Sequence, residues 1–152
     1  MPPNVGEEAR AVPEKRYAMC FGCGTDNRIG LKLRFVPDGD YLTTTFTPAE
    51  IHQGYPGVCH GGIVATVLDE VMAQVLFTRG IPAVTARLEV RYRRAVPVGR
   101  PTVFRARLVR DARRLYEIEA EARGPTGEPY ATARASYLPI SREDIEKLND
   151  QG

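Results

Sequence analysis

The amino-acid sequence predicts an α+β domain: one long central helix wrapped by a curved antiparallel sheet of about five to six strands. Three observations predict it. One strongly helical run covers residues 62–79, two strand-like runs precede it, and four more follow at spacings of 10–15 residues. The links between those four are too short for parallel crossovers, which need a dozen or more residues, so neighbours must be antiparallel. One helix on one antiparallel sheet is a two-layer α+β arrangement.

The chain has 152 residues, enough for a single core. Residues 1–16 hold three prolines, a glycine and mixed charge, and are expected to form a flexible arm. Residues 17–140 make the domain, and 141–152 a short helical tail. Within the domain, LKLRF at 31–35 alternates apolar and polar residues, as a half-buried strand does. Asp38-Gly39-Asp40 turns the chain, and residues 41–46, rich in threonine and aromatics, return as a second strand. A loop follows over 48–60, marked by Pro48, Gly54, Pro56 and Gly57.

At 100° per residue, Val64, Ala65, Val67, Leu68, Val71, Met72, Val75 and Leu76 fill one broad arc of the helix. A helix so apolar is mostly wrapped by protein. Gly80 and Pro82 stop it. The later strands are expected over 85–95, 101–110, 114–123 and 130–138. In the first of these, Leu88, Val90 and Tyr92 face one way and Arg87, Glu89, Arg91 and Arg93 the other. Ser141 and Asp144 have capping-box spacing at the start of the tail helix.

Composition is ordinary for a globular protein, 43% hydrophobic and 26% charged, with a net charge of +2. Residues 87–114 nevertheless hold ten arginines against only Glu89 and Asp111. That stretch is either a solvated strand face or a place for a phosphate-bearing ligand, which arginine's forked donors suit. No run reaches the ~18 apolar residues that span a bilayer, and none resembles a secretory signal. With three cysteines, an odd number, the simplest expectation is a reduced, cytoplasmic setting.

The helix raises the question of function, because an apolar helix has no structural use for two adjacent carboxylates, Asp69 and Glu70. Gly61 and Gly62 open it. The first turn of a helix leaves amide N–H groups unpaired at the positive end of the dipole, where a carbonyl oxygen can be polarised. Asp69 lies where the apolar and polar arcs meet, a suitable place for a general base. The plainer readings are a tight entry turn and a salt-bridging acid. Eight residues at ~1.5 Å each put Asp69 about 12 Å along the axis from Gly61, so one carbonyl cannot touch both. If both act, they come from different chains whose helices run antiparallel.

HGGIVATVLDE at 60–70, preceded by HQGYPGV and followed by VTARLEVRYRRAVPVG, resembles the hotdog-fold acyl-CoA thioesterases, most closely the phenylacetate-degradation branch. CFGCGTDNRIGLKLRF, upstream, is a common opening in that branch, although Arg28 stands where many relatives have proline. The resemblance implies a thioester hydrolase acting on acyl-CoA, at least a homodimer and often a tetramer, with no metal or redox cofactor. It implies that amides at Gly61 and Gly62 polarise the thioester carbonyl and that His60 shapes that turn. It implies that Asp69 is the catalytic carboxylate and that Thr85 orients the acid or its water. Arg91, Arg93, Arg94, Arg110, Arg113 and Arg114 fall in the region that holds the CoA phosphates. Tyr55, Met72 and Phe77 are candidates for the acyl pocket. His52 is read as a surface hydrogen-bonding residue.

Other readings are a non-catalytic acyl-CoA-binding protein on the same fold, a hydratase, and a polyanion binder using the arginines. Cys20-Phe-Gly-Cys23 is half of a zinc site. Cys59 and His60 are the only residues whose spacing could complete it, at the expense of the glycine turn, and free thiols are the preferred reading.

Overall fold

The computed structural model describes residues 17–150. The arm expected over 1–16 and the last two residues lie outside them. Six strands form one antiparallel sheet: β1 (Val36–Asp38), β2 (Tyr41–Phe46), β3 (Ala83–Tyr92), β4 (Thr102–Asp111), β5 (Tyr116–Arg123) and β6 (Pro129–Pro139), in the spatial order β1-β2-β4-β5-β6-β3. Helix α1 (Gly61–Phe77) lies on one face, and α2 (Arg142–Asn149) ends the described chain. This is the predicted fold class.

The sheet is built to receive α1. On β5, Tyr116, Ile118, Ala120 and Ala122 are buried while Glu117, Glu119, Glu121 and Arg123 alternate outward. Register places Ala106, Ala120 and Ala133 side by side on three strands, and Ala122 beside Ala131. These small side chains let the helix approach the sheet closely. Val67, Leu68, Val71, Met72 and Leu76 fill the space between, each with no exposed surface. Met72 is therefore a core residue of this chain, not a pocket residue as expected, whereas Tyr55 is 84% exposed.

The strands after the helix shift by up to three residues from the expected bounds, β3 running 83–92 rather than 85–95, and two further differences from the sequence reading have clear reasons. Residues 31–35 keep the predicted alternation, with Leu31, Leu33 and Phe35 buried, but they join no strand ladder. Their amides bond instead to the loop below, Leu31 N–H to Phe21 O at 2.8 Å and Leu33 N–H to Gly22 O at 2.9 Å. The ladder to β2 begins only at Val36. The helix starts one residue early and ends at Phe77 rather than 79. Gly80 (φ +75°) closes it: Ile81 N–H bonds to Leu76 O and Gly80 N–H to Phe77 O, both at 3.0 Å. That pair of bonds is a Schellman closure, which needs a left-handed residue at Gly80. In α2 the predicted capping box is formed, with Asp144 N–H donating to Ser141 Oγ at 3.1 Å.

The sheet also answers part of the arginine excess. Register sets the acids of β5 opposite the arginines of β4. Glu121 bonds to Arg105 and, at 2.9 Å, to Arg123, while Glu119 bonds to Arg107 at 2.6 Å. Counting charge along one segment missed a strand that lies beside it only after folding.

A methyl group at Gly80 meets nothing within 4 Å, so its only cost is the left-handed backbone. Gly80→Ala is expected to destabilise the chain by about 1 kcal/mol in urea unfolding; an unchanged midpoint would contradict the closure.

Candidate active site

Asp69 and Glu70 diverge from the middle of α1 into different surroundings. Asp69 faces the junction of β3 and β6. Its Oδ1 accepts from Thr85 Oγ1 at 2.9 Å and from Tyr137 Oη at 2.7 Å. The Tyr137 hydroxyl also lies 3.1 Å from the Asp69 carbonyl oxygen. Among the described residues, nothing donates to Oδ2. One carboxylate oxygen is thus fixed by two hydroxyls and the other is left for a further partner. Tyr137 is wholly buried, and desolvation, then the charge of Asp69, raises its phenol far above its ordinary range, so it stays a donor.

Strict alternation from Tyr92 would turn Thr85 toward the arginine face. The ladder between β3 and β6 corrects this. Thr85 pairs with Tyr137 and Arg87 with Ser136, so Ala86 is an extra residue on β3. Such a bulge reverses the side-chain parity beyond it. It brings Thr85 to the same face as Tyr92, directly opposite Tyr137, where both hydroxyls meet Asp69. Sequence reasoning named Thr85 and missed Tyr137. The available signal was a tyrosine at an inward strand position, whose hydroxyl needs a partner when buried.

The start of α1 is tied to the other end of β3. Tyr92 Oη donates to Gly61 O at 2.6 Å. His60 is the N-cap, its Nδ1 accepting from Gly62 N–H at 2.9 Å, which leaves the neutral ring's proton on Nε2. This corrects the expectation for Gly62: its amide is already taken. Ile63 and Val64 N–H both turn to His60 O, at 2.9 and 3.1 Å. Among the described residues only the Gly61 amide in this turn has no acceptor. A hollow of about 310 Å³ opens beside it, lined in part by Gly61, Tyr92, Arg93 and Arg94.

The predicted arginines fall into two groups. Arg91, Arg93 and Arg94 lie where β3 ends, near Gly61. Arg110, Arg113 and Arg114 lie at the β4–β5 turn, the end of the sheet where Tyr116, Tyr137 and Thr85 are in register. Within one chain they do not converge. His52 accepts from Ala49 N–H at 2.9 Å and packs on Phe46, as a surface hydrogen-bonding residue.

Glu70 turns instead to the opening loop. Cys20 Sγ lies 3.7 Å from its Oε1, and Gln74 Nε2 lies 3.3 Å from the same oxygen. Burial, then the adjacent Cys20, raises its carboxyl to about 7. Cys59 is buried elsewhere, beside its own neighbour's carbonyl.

A sheet curved round one helix, with an unpaired amide at the helix start and an anchored acid at its middle, defines the hotdog class. The chain belongs to the thioesterase superfamily, whose family model matches residues 56–131. Curated relatives include Homo sapiens acyl-coenzyme A thioesterase THEM5, 31% identical over 64 residues, covering 42% of this chain and 26% of that protein. Rattus norvegicus acyl-coenzyme A thioesterase THEM4 is 34% identical over 65 residues, covering 42% and 28%. The matched stretch therefore spans about a quarter of those proteins. Among solved structures, zebra fish thioesterase superfamily member 2 superposes with a TM-score of 0.69 at 20% identity, covering 82% of this chain and 92% of that one. The E. coli PaaI protein of the phenylacetic acid degradation operon gives 0.68 at 18% identity, covering 73% and 81%. A Streptococcus mutans protein solved with acetyl CoA gives 0.67 at 20% identity, covering 72% and 89%.

Because Thr85 and Tyr137 share one acceptor oxygen, their contributions should not be independent. A double-mutant cycle of Thr85→Ala and Tyr137→Phe in urea unfolding is expected to give a coupling of about 0.5–3 kcal/mol. Additive losses would contradict the shared anchor.

Proposed function

We propose that this chain is an acyl-CoA thioesterase, hydrolysing the thioester of an acyl-CoA to a carboxylic acid and CoA, and that it works as a homodimer or a pair of dimers. The observation that carries the reading is the pairing of an acid held by one oxygen with an unpaired amide on the same helix, inside a thioesterase-superfamily fold. The relatives named as acyl-coenzyme A thioesterases, and the related fold solved with acetyl CoA, support the substrate class.

The site needs two copies because α1 keeps Gly61 and Asp69 about 12 Å apart. Strand β3 supports the way they meet. Among the described residues it pairs only with β6, leaving its other edge open, and Val84, Leu88 and Tyr92 on it are 42%, 37% and 51% exposed. An apolar open edge invites a further strand. Thr85 secures Asp69 and Tyr92 secures Gly61 on this same strand. Antiparallel pairing of β3 with a second β3, centred on Glu89, sets each Thr85 opposite the other copy's Tyr92, the extra residue at Ala86 making up the one-residue difference. Each acid then lies beside the other copy's free amide. The same two-fold pairing brings one copy's Arg93 and Arg94 toward the end of the other that carries Arg110, Arg113 and Arg114. Those five, with Arg91, are the candidates for the CoA phosphates.

In the proposed reaction the thioester oxygen accepts from Gly61 N–H at the positive end of α1. Asp69 of the other copy, through Oδ2, takes a proton from water as that water attacks the carbonyl carbon. Thr85 and Tyr137 keep the carboxylate in one orientation. Collapse of the tetrahedral species breaks the C–S bond, and the proton held by Asp69 passes to the CoA thiolate. No cofactor takes part in these steps. The three free cysteines fit a reducing, cytoplasmic setting, and no helix of the described residues is long and apolar enough to cross a membrane.

Gly61→Pro removes the amide hydrogen at the helix position that best tolerates proline, and His60 (ψ 133°) already has the backbone that precedes a proline. Turnover over a panel of acyl-CoAs is expected to fall roughly 10²–10³-fold in this variant and 10²–10⁴-fold in Asp69→Asn, with little change in unfolding midpoint. Wild-type turnover in Asp69→Asn would remove the acid from the mechanism. Saturable CoA binding by the wild type without turnover on any acyl-CoA would make the chain a binding protein.

A further inference from the structure

Glu70 has no part in that reaction, yet it points into protein from the middle of the central helix. Its neighbours are two thiols. The ligand atoms of Cys20, Cys23 and Glu70 all lie within 4.8 Å of one another. Among the described residues no lysine, arginine or histidine bonds to this group; its only side-chain donor besides the thiols is Gln74, whose Nε2 lies 3.3 Å from Glu70 Oε1 and 3.9 Å from Cys23 Sγ. Three acidic groups thus converge, one of them on a buried cysteine, with no cation among the described residues bonded to them.

The backbone holds this convergence open at close quarters. Gly24 N–H bonds to Cys20 O at 2.8 Å, turning the Cys20-Phe-Gly-Cys23 segment so that both thiols face α1. A Cβ at Gly22 would fall 2.5 Å from Glu70 Cδ, and one at Gly24 would fall 2.3 Å from Ala18 O. At Gly22 the loop therefore rests directly on the Glu70 carboxylate. A disulfide between the two cysteines would account for the thiols and leave the inward carboxylate unexplained.

We propose that Cys20, Cys23 and Glu70 form a structural site for a zinc-class divalent cation, its fourth position closed by water, which fastens the opening loop to the middle of α1. Two sulfurs and one oxygen at tetrahedral angles suit zinc, whereas calcium and magnesium demand all-oxygen shells. Bonds of about 2.3 Å to sulfur and about 2.0 Å to oxygen make the S···O edge of such a tetrahedron about 3.5 Å. The observed separation of Cys20 Sγ and Glu70 Oε1 is 3.7 Å. Binding requires both thiols to lose their protons. The site differs from the arrangement considered from sequence, since Cys59 is not part of it and His60 keeps its place as the helix cap. It is also separate from Asp69, which faces β3 and β6 on another side of the helix.

The test uses the full, untagged chain, purified with reductant and passed through a desalting column, and it does not read activity. Elemental analysis is expected to find about one zinc per chain, and Co²⁺ added to the stripped chain is expected to give a thiolate-to-cobalt charge-transfer band with the intense d–d bands of tetrahedral cobalt. Cys20→Ser/Cys23→Ser should lose the charge-transfer band. Glu70→Gln, nearly isosteric, should weaken cobalt binding at least about tenfold. Metal below about a tenth of an equivalent together with no cobalt band in the wild type would overturn the site, and that result needs no variant to fold. An unchanged band in the double serine variant, or unchanged affinity in Glu70→Gln, would overturn it as well.

Discussion

The account depends on the stiffness of one helix. A carboxylate and an amide fixed eight residues apart on a continuous hydrogen-bonded rod cannot close on one carbonyl, whatever their side chains do. The core makes the rod immovable: five of its side chains have no exposed surface and sit on a floor of alanines. If the acid and the amide serve one reaction, the stiffness itself demands a second copy. Dimerisation then belongs to the chemistry and is more than a way to cover an apolar edge.

Strand β3 converts that demand into geometry. Among the described residues it is the only strand bonded to both functional points of α1 through side chains, Thr85 to Asp69 and Tyr92 to the Gly61 carbonyl. Without the extra residue at Ala86, one of those two side chains would face away from the helix. The bulge therefore sets the direction of the acid, and the same strand leaves an open edge. A single element that positions both halves of the proposed site and carries the exposed edge ties the register of a dimer to the alignment of its reacting groups.

Much of this was legible in the sequence, for physical reasons that also mark its limits. The apolar arc of α1 and the period of two in β3 and β5 follow from side-chain geometry, so helix, strands and fold class could be read directly. The HGG turn and the acid nine residues after His60 could be found because their spacing is local. Contacts made only across strands could not. The partnership of Tyr137 with Asp69 depends on a register set by a one-residue bulge. The pairing of Arg105 and Arg107 with acids depends on which strand lies next to β4. Glu70 falls outside the motif that Asp69 fits, and its separate surroundings arise only once the CFGC loop folds onto it. His60 shows the opposite case. It was expected to shape the glycine turn and it caps the helix, but in doing so it occupies the Gly62 amide that was also expected to serve.

The most direct test of a site shared between copies is complementation between two inactive variants. Asp69→Asn lacks the acid and Gly61→Pro lacks the amide; each homodimer has both of its sites broken. Co-expressed in equal amounts, half of the dimers should be hybrids, and an isologous interface gives each hybrid one intact site. Acyl-CoA hydrolysis per chain should then recover to about a quarter of the wild-type value. A co-expressed mixture that forms hybrids, shown by native mass spectrometry, and yet stays as inactive as its parents would contradict the account.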